Sequence, residues 1–154
     1  VIYFGFIITK DGPKVLEYNA RFGDPETQVV LPQLESDLVE IFNAVIDEKL
    51  SDVDIKWSNS SSVCVVMASG GYPGKYDTGL EITGLGDAEN DSNTVVFHAG
   101  TRHENGKFYT AGGRVLGVTA LEPTMEQAIE KAYQAVGKIK FSGVHFRKDI
   151  GKKY

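Results

Sequence analysis

Between residues 124 and 138, apolar side chains return every three or four positions, at Met125, Ala128, Ile129, Ala132, Tyr133 and Val136, the stripe that one face of an α-helix presents. Thr124 precedes the stripe and Gln127 follows three residues later, a capping-box pair that marks the start of this helix. The spacing recurs over Ser36 to Leu50, where Leu38, Ile41, Phe42, Val45 and Ile46 line one side and Ser36 is the expected cap. At the chain start, two apolar-rich segments, Ile2 to Thr9 and Val15 to Asn19, flank Lys10-Asp11-Gly12-Pro13-Lys14 and predict a hairpin over residues 1 to 21. A short helix should follow, with Asp24 as N-cap, Pro25 in the first helical position and Pro32 limiting its length.

Beyond the polar, Ser/Asn-rich stretch Asp52 to Ser61 the pattern changes to short apolar runs separated by glycine turns. Strands are predicted at Val63 to Ser69, Leu80 to Thr83, Thr94 to Ala99, Lys107 to Thr110 and Arg114 to Ala120. The expected class is α+β: a hairpin-plus-helix unit over 1–50, a connector over 51–61, and a small β-rich domain over 62–154 closed by the last helix.

Composition narrows the partners. With 16 basic residues scattered among 21 acidic ones and a net charge of -5, the chain has no basic stripe for a phosphate backbone, so no nucleic-acid partner is expected. The single cysteine, Cys64, lies in the apolar run SVCVVMAS and reads as core, which excludes an internal disulfide and favours a reducing compartment. No apolar run approaches the roughly 20 residues of a spanning helix, and no signal peptide opens the chain, so a cytoplasmic protein without a membrane partner is expected. The Asn59 and Asn90 sequons are discounted for the same reason. Val1 opens directly into the strand-like VIYFGFIIT, as if the chain were a piece of something longer.

The candidate chemistry lies in EYNARFGDPETQ, residues 17 to 28. On a strand, Glu17, Asn19 and Arg21 share one face and Tyr18 and Ala20 the other, with same-face neighbours roughly 7 Å apart. A carboxylate and an amide oxygen at that spacing suit Mg²⁺, which keeps several waters and fills its remaining positions from substrate phosphates. Arg21 adds a forked donor for a phosphate or carboxylate oxygen. The same alternation also describes the solvent face of an antiparallel strand, Asp24 is explained by capping, and Glu26 by the field at a helix start. The residues alone leave both readings open.

The run GPKVLEYNARFGDPETQ resembles the end of the ATP-grasp domain of the phosphoribosylamine–glycine ligase (glycinamide ribonucleotide synthetase) family. VVMASGGYPGKY, EITG, VFHAGT, NGK, GGRVLGVTA and RKDIG resemble that family's C-terminal domain, in the same order across nearly the whole chain. The resemblance implies that residues 1–50 end an ATP-grasp antiparallel sheet and 62–154 form the ligase C-terminal domain. It implies ATP-dependent joining of glycine to 5-phosphoribosylamine through glycyl phosphate, giving glycinamide ribonucleotide, ADP and phosphate. Glu17 and Asn19 match the positions that hold Mg²⁺ or Mn²⁺ and, with it, the nucleotide. Arg21 and Asp24 are the catalytic candidates, and Arg21, Asp24, Glu26 and Arg114 the substrate-binding ones.

Two departures qualify that picture. Many ATP-grasp enzymes carry another acidic ligand on the preceding strand, whereas Tyr3-Phe4-Gly5-Phe6 offers none, so Glu17 would serve more than one metal. The family's earlier domains should precede Val1, so the chain alone is expected to be inactive and to need the missing N-terminal part of the same polypeptide. Three smaller features read more simply. ASGGYPGKY lacks the Gly-Lys-Ser/Thr ending of a phosphate loop, His98 and His103 lack a third ligand, and Gly112-Gly113-Arg114 reads equally as a turn or as an approach toward the site. Two rivals remain: another ATP-grasp carboxylate–amine ligase of purine metabolism, and a non-catalytic module of a multifunctional purine enzyme. Nothing in the sequence gives the oligomeric state.

Overall fold

The computed structural model describes residues 1–152, and its centre is a three-stranded antiparallel sheet. The opening hairpin supplies β1 (Tyr3–Thr9) and β2 (Gly12–Asn19); the central sheet is built from β3 (Ser61–Ala68), β5 (Thr94–His98) and β8 (Arg114–Glu122), in the order β3-β8-β5. Six consecutive residues of β8, Val115 to Ala120, are buried, because helices cover both faces of this strand. One face carries Val63, Val65 and Met67 of β3 opposite Ala120, Val118 and Leu116 of β8. Onto it packs α4 (Met125–Lys138), which buries Ala128, Ala132 and Val136 of the predicted stripe and Ala135 beside it, while Met125 at the start of the stripe is exposed. Thr124 caps it, accepting the Gln127 N–H at 3.3 Å.

The other face carries Cys64 and Thr119, and α1 (Thr27–Val30) lies across it. Gly117 makes room for that helix: a Cβ there would stand 3.2 Å from the Cys64 sulfur and 3.7 Å from Gln28 Cγ. α1 runs into a 3₁₀ turn, Leu31–Gln33, whose Pro32 ends the α-helical hydrogen bonding as expected. Ser58 N–H donates to the Gln33 carbonyl at 2.7 Å, tying the polar connector back to this unit.

Helix starts are where the local signals misled. Asp24 is not the N-cap of α1; Glu26 holds that position, and Asp24 and Pro25, joined by a cis peptide bond, lie outside the helix. The Asp24 carboxylate is engaged instead by a guanidinium from β8. Ser36 likewise does not cap α2 (Leu38–Ile46). Asp37 does, accepting the N–H groups of Val39 at 2.7 Å and Glu40 at 3.2 Å, while Ser36 Oγ accepts the Lys56 N–H at 2.8 Å. α2 also stops short of Leu50, since Glu48 turns left-handed at φ 58°.

A second antiparallel sheet, β4-β7-β6, comprises β4 (Glu81–Ile82), β6 (Thr101–Glu104) and β7 (Lys107–Thr110), and leans on the core through Ile82 and Phe108. β6 and the five-residue α3 (Leu85–Glu89) escape the sequence pattern. Thr-Arg-His-Glu has no apolar alternation, and five residues are too few to show a helical period. The hairpin differs from the rest in burial: Ile8 is 78% exposed, Leu16 66% and Tyr18 66%, with Phe4 packing edge-on to Tyr18 at 5.2 Å.

Candidate active site

β2 ends on the candidate metal ligands. Gly5 stands opposite Glu17 and Tyr3 opposite Asn19, and the register slips between Gly5 and Phe6, leaving Leu16 as an extra residue just before Glu17. A side chain at Gly5 would collide with Glu17, its Cβ 2.9 Å from Glu17 Cγ, so the glycine lets the carboxylate lie over β1. Glu17 is exposed and Asn19 half-buried. Among the described residues no group of three His, Cys, Asp or Glu side chains stands ready for a metal. Two oxygen donors on one strand fit a hard cation that takes its other ligands from water and phosphate; they do not make a closed cage.

Past β2 the chain turns through Arg21 to Glu26. Arg21 Nη1 donates back to the Phe22 carbonyl at 2.7 Å, and the Phe22 ring meets Phe42 of α2 at 6.4 Å. Thr27 Oγ1 donates to the Gly23 carbonyl, which closes the turn. Glu26 folds back over buried Gly23, where a Cβ would fall 2.5 Å from Glu26 Oε2. The Tyr3 phenol is pushed above its ordinary range, first by desolvation and then by the negative charges of Glu26 and Glu17. Tyr3, Glu17 and Glu26 are therefore grouped at the mouth of the hairpin. Tyr3, Glu26 and Phe22 help line a cavity of about 180 Å³ there. Tyr3 was not legible as a site residue, although the hairpin register, which sets it opposite Asn19, carries the signal.

Arg114 joins the site from the far end of the chain. Its Nη2 donates to Asp24 Oδ2 at 2.8 Å and its Nη1 to the Asp24 main-chain carbonyl at 3.4 Å. Gln28 Nε2 donates to the other Asp24 oxygen at 3.4 Å. Asp24 and Arg114 thus meet across two units, whereas Arg21 stays on its own turn. His98 and His103 lie elsewhere, each against the Phe108 ring, with centroids at 4.5 and 4.6 Å. Cys64 sits half-buried under α1, its thiol pushed up by burial, drawn partly back by a hydrogen bond with Thr119, and raised further by the Asp24 charge.

The candidate site thus consists of an acidic strand end, a closed turn beyond it, and an arginine from β8 that grips the turn. Residues 1–27 match the ATP-grasp (A) domain of phosphoribosylglycinamide synthetase, and residues 62–153 match the C domain of the same enzyme. The chain belongs to the phosphoribosylglycinamide synthetase family. It is 53% identical over 152 residues to the phosphoribosylamine–glycine ligase of Clostridium acetobutylicum, covering 99% of this chain and 36% of that protein. It is 55% identical to the trifunctional purine biosynthetic protein adenosine-3 of Gallus gallus, covering 98% of this chain and 15% of that one. The crystal structure of phosphoribosylamine–glycine ligase from Thermotoga maritima superposes with a TM-score of 0.73 at 33% identity, over 96% of this chain and 36% of that chain. The chain therefore spans about a third of the length of the single-function relative it matches. No helix among the described residues is long and apolar enough to cross a membrane.

Proposed function

We propose that this chain is the C-terminal part of a ligase that joins glycine to 5-phosphoribosylamine at the expense of ATP, releasing glycinamide ribonucleotide, ADP and phosphate. The observation that carries the reading is a coincidence of place. The ATP-grasp match ends at Thr27, so it takes in Glu17, Asn19, Arg21, Asp24 and Glu26, and the C-domain match contains the Arg114 that grips Asp24. We assign residues 1–50 to the end of the ATP-grasp domain, 51–61 to a connector and 62–154 to the C-terminal domain, in a cytoplasmic enzyme.

A glycine carboxylate oxygen attacks the γ-phosphorus of ATP, the bond to the bridging oxygen breaks, and ADP leaves glycyl phosphate behind. The amine nitrogen of phosphoribosylamine then adds to the glycyl carbonyl, phosphate departs with the bonding electrons, and the nitrogen gives up a proton. A bound Mg²⁺ or Mn²⁺ would neutralise charge gathering on the transferred phosphoryl group. Glu17 and Asn19 are the side chains that would hold it. Arg21 supplies a planar fork to a phosphoryl or carboxylate oxygen, and Asp24, Glu26 and Arg114 are the further side chains assigned to holding the substrates. Burial of the site by the rest of the ATP-grasp domain keeps water from the acyl phosphate. The chain by itself therefore does not turn over.

The test is Glu17→Gln in the full-length ligase, with ADP formation measured against glycine and Mg²⁺. Lost turnover and a weakened Mg²⁺ response are expected; wild-type kinetics would remove the metal assignment.

A further inference from the structure

Three buried side-chain oxygens among the described residues have no hydrogen-bond partner within the chain: Gln28 Oε1, Ser62 Oγ and Thr94 Oγ1. A buried hydroxyl left unpaired is destabilising, so each calls for a partner. Thr94, 6% exposed at the start of β5, lines a cavity of about 30 Å³ where α4 meets α3 and the loop into β5.

The space follows from the residues around it. Thr94 stands opposite Ala120 of β8, on the face of the central sheet that α4 covers. Buried Ala88 of α3 and buried Ala135 of α4 form the apolar wall, and their methyl groups are too short to meet across it. Two lysines seven positions apart on α4 reach over to the facing segment. Lys131 pairs with Asp91, and Lys138 Nζ donates to the Asp87 carbonyl at 3.0 Å. Gln134, which lies between them in sequence and donates from Nε2 to Glu130 Oε1 at 3.1 Å, lines the same space. The Thr94 N–H is already satisfied by the Asp91 carbonyl at 3.0 Å, so the hydroxyl is the group left over.

Size and charge together select what can occupy the cavity. One water needs about 10–15 Å³ of such space, so the volume suits a single small molecule and excludes organic ligands. Lys131 and Lys138 on the wall disfavour a metal cation, and the Asp91 carboxylate disfavours a halide. A neutral molecule that both donates and accepts meets all of these groups.

We propose that this cavity is a hydration site: one water molecule hydrogen-bonds to the Thr94 hydroxyl and to the ionic groups around it, and so joins β5 and the Asp91 loop to α4. Such a joint matters because α3 has five residues, too few to be stable without tertiary support. The water supplements the two lysine bridges in holding residues 85–94 against α4.

The experiment uses the full-length protein. A high-resolution crystal structure should show one density peak within hydrogen-bonding distance of Thr94 Oγ1, with no anomalous signal. Thr94→Val then separates a paired hydroxyl from an orphan. If water pairs the hydroxyl, valine removes a made bond, and amide exchange over residues 85–93 should quicken by about fivefold while β1 and β2 are unaffected. If the hydroxyl is an orphan, valine removes a liability and protection should hold or rise. Thr94→Ser, which keeps the hydroxyl, should stay near wild type. An unoccupied cavity in the map, an ion identified by its anomalous signal, or a Thr94→Val protein as protected as wild type would each overturn the proposal. Should Thr94→Val fail to fold, the wild-type map still decides it.

Discussion

Thr119, fully buried at the middle of β8, donates its hydroxyl to the Gln28 carbonyl at 2.9 Å. That bond fastens α1 to the central sheet and so fixes where the turn before α1 can lie. Thr119→Val keeps the volume but leaves the Gln28 carbonyl without its donor, and should cost about 1–3 kcal/mol in urea denaturation with an unchanged m-value. Thr119→Ser, which retains the hydroxyl, should recover much of the loss.

On the opposite face, α4 approaches the sheet through alanines. Ala132 has no solvent exposure and lies in the same core as Val65 and Val118. Ala132→Leu should therefore strain the core rather than fill it, destabilising the fold by about 1–3 kcal/mol, read as a lowered Tm by calorimetry. A neutral result would mean that the helix can lift without loss.

Acid stability should depend on an ion pair remote from the candidate site. Lys131 pairs with Asp91 and lies 4.0 Å from Glu122. The Asp91 carboxyl is held below its ordinary range, chiefly by its hydrogen bond from Lys131 and then by the Asn93 N–H. A carboxyl depressed in the folded state adds stability above its unfolded pKa and loses it as pH falls through the folded one. Wild type should thus exceed Asp91→Asn in stability near neutrality, with the gap closing below about pH 4. A gap that stays constant down to pH 2 would assign the stabilisation elsewhere.

The Cys64 thiol should be slow toward iodoacetamide. Burial raises it first, so the reactive thiolate is scarce at neutral pH. The alkylation rate, followed by mass spectrometry, should stay below that of a free thiol at pH 8 and climb at higher pH than the ordinary cysteine range of about 8.5. Labelling as fast as a free thiol would show that α1 lifts readily from the sheet.

How much of this was readable in advance depended on distance along the chain. The Thr124 cap is written in a partner three residues away, and its hydroxyl accepts the Gln127 N–H, the Thr124 half of the box. Asp24 looked like a cap by the same rule and is not one, because its strongest partner, Arg114, stands 90 positions later. Ser36 lost its expected role to the next residue, as its hydroxyl was taken by Lys56, 20 positions on. The alternation of Glu17 and Asn19 was legible from the strand period, whereas the meeting of Tyr3 with Glu26 needed the hairpin and the turn to fold together.

By itself the sequence determined the apolar stripe of α4, the strand segments on either side of the glycine turns, and the placing of a carboxylate and an amide on one side of a strand. Those are properties of neighbours, set by backbone period and local sterics. Tertiary structure alone decided which carboxylate receives the Arg114 fork, that Glu26 folds over Gly23, and that Gly113 must stay bare beneath Tyr72. Contacts between distant segments depend on how the sheet and helices meet in space, and no local pattern encodes that meeting.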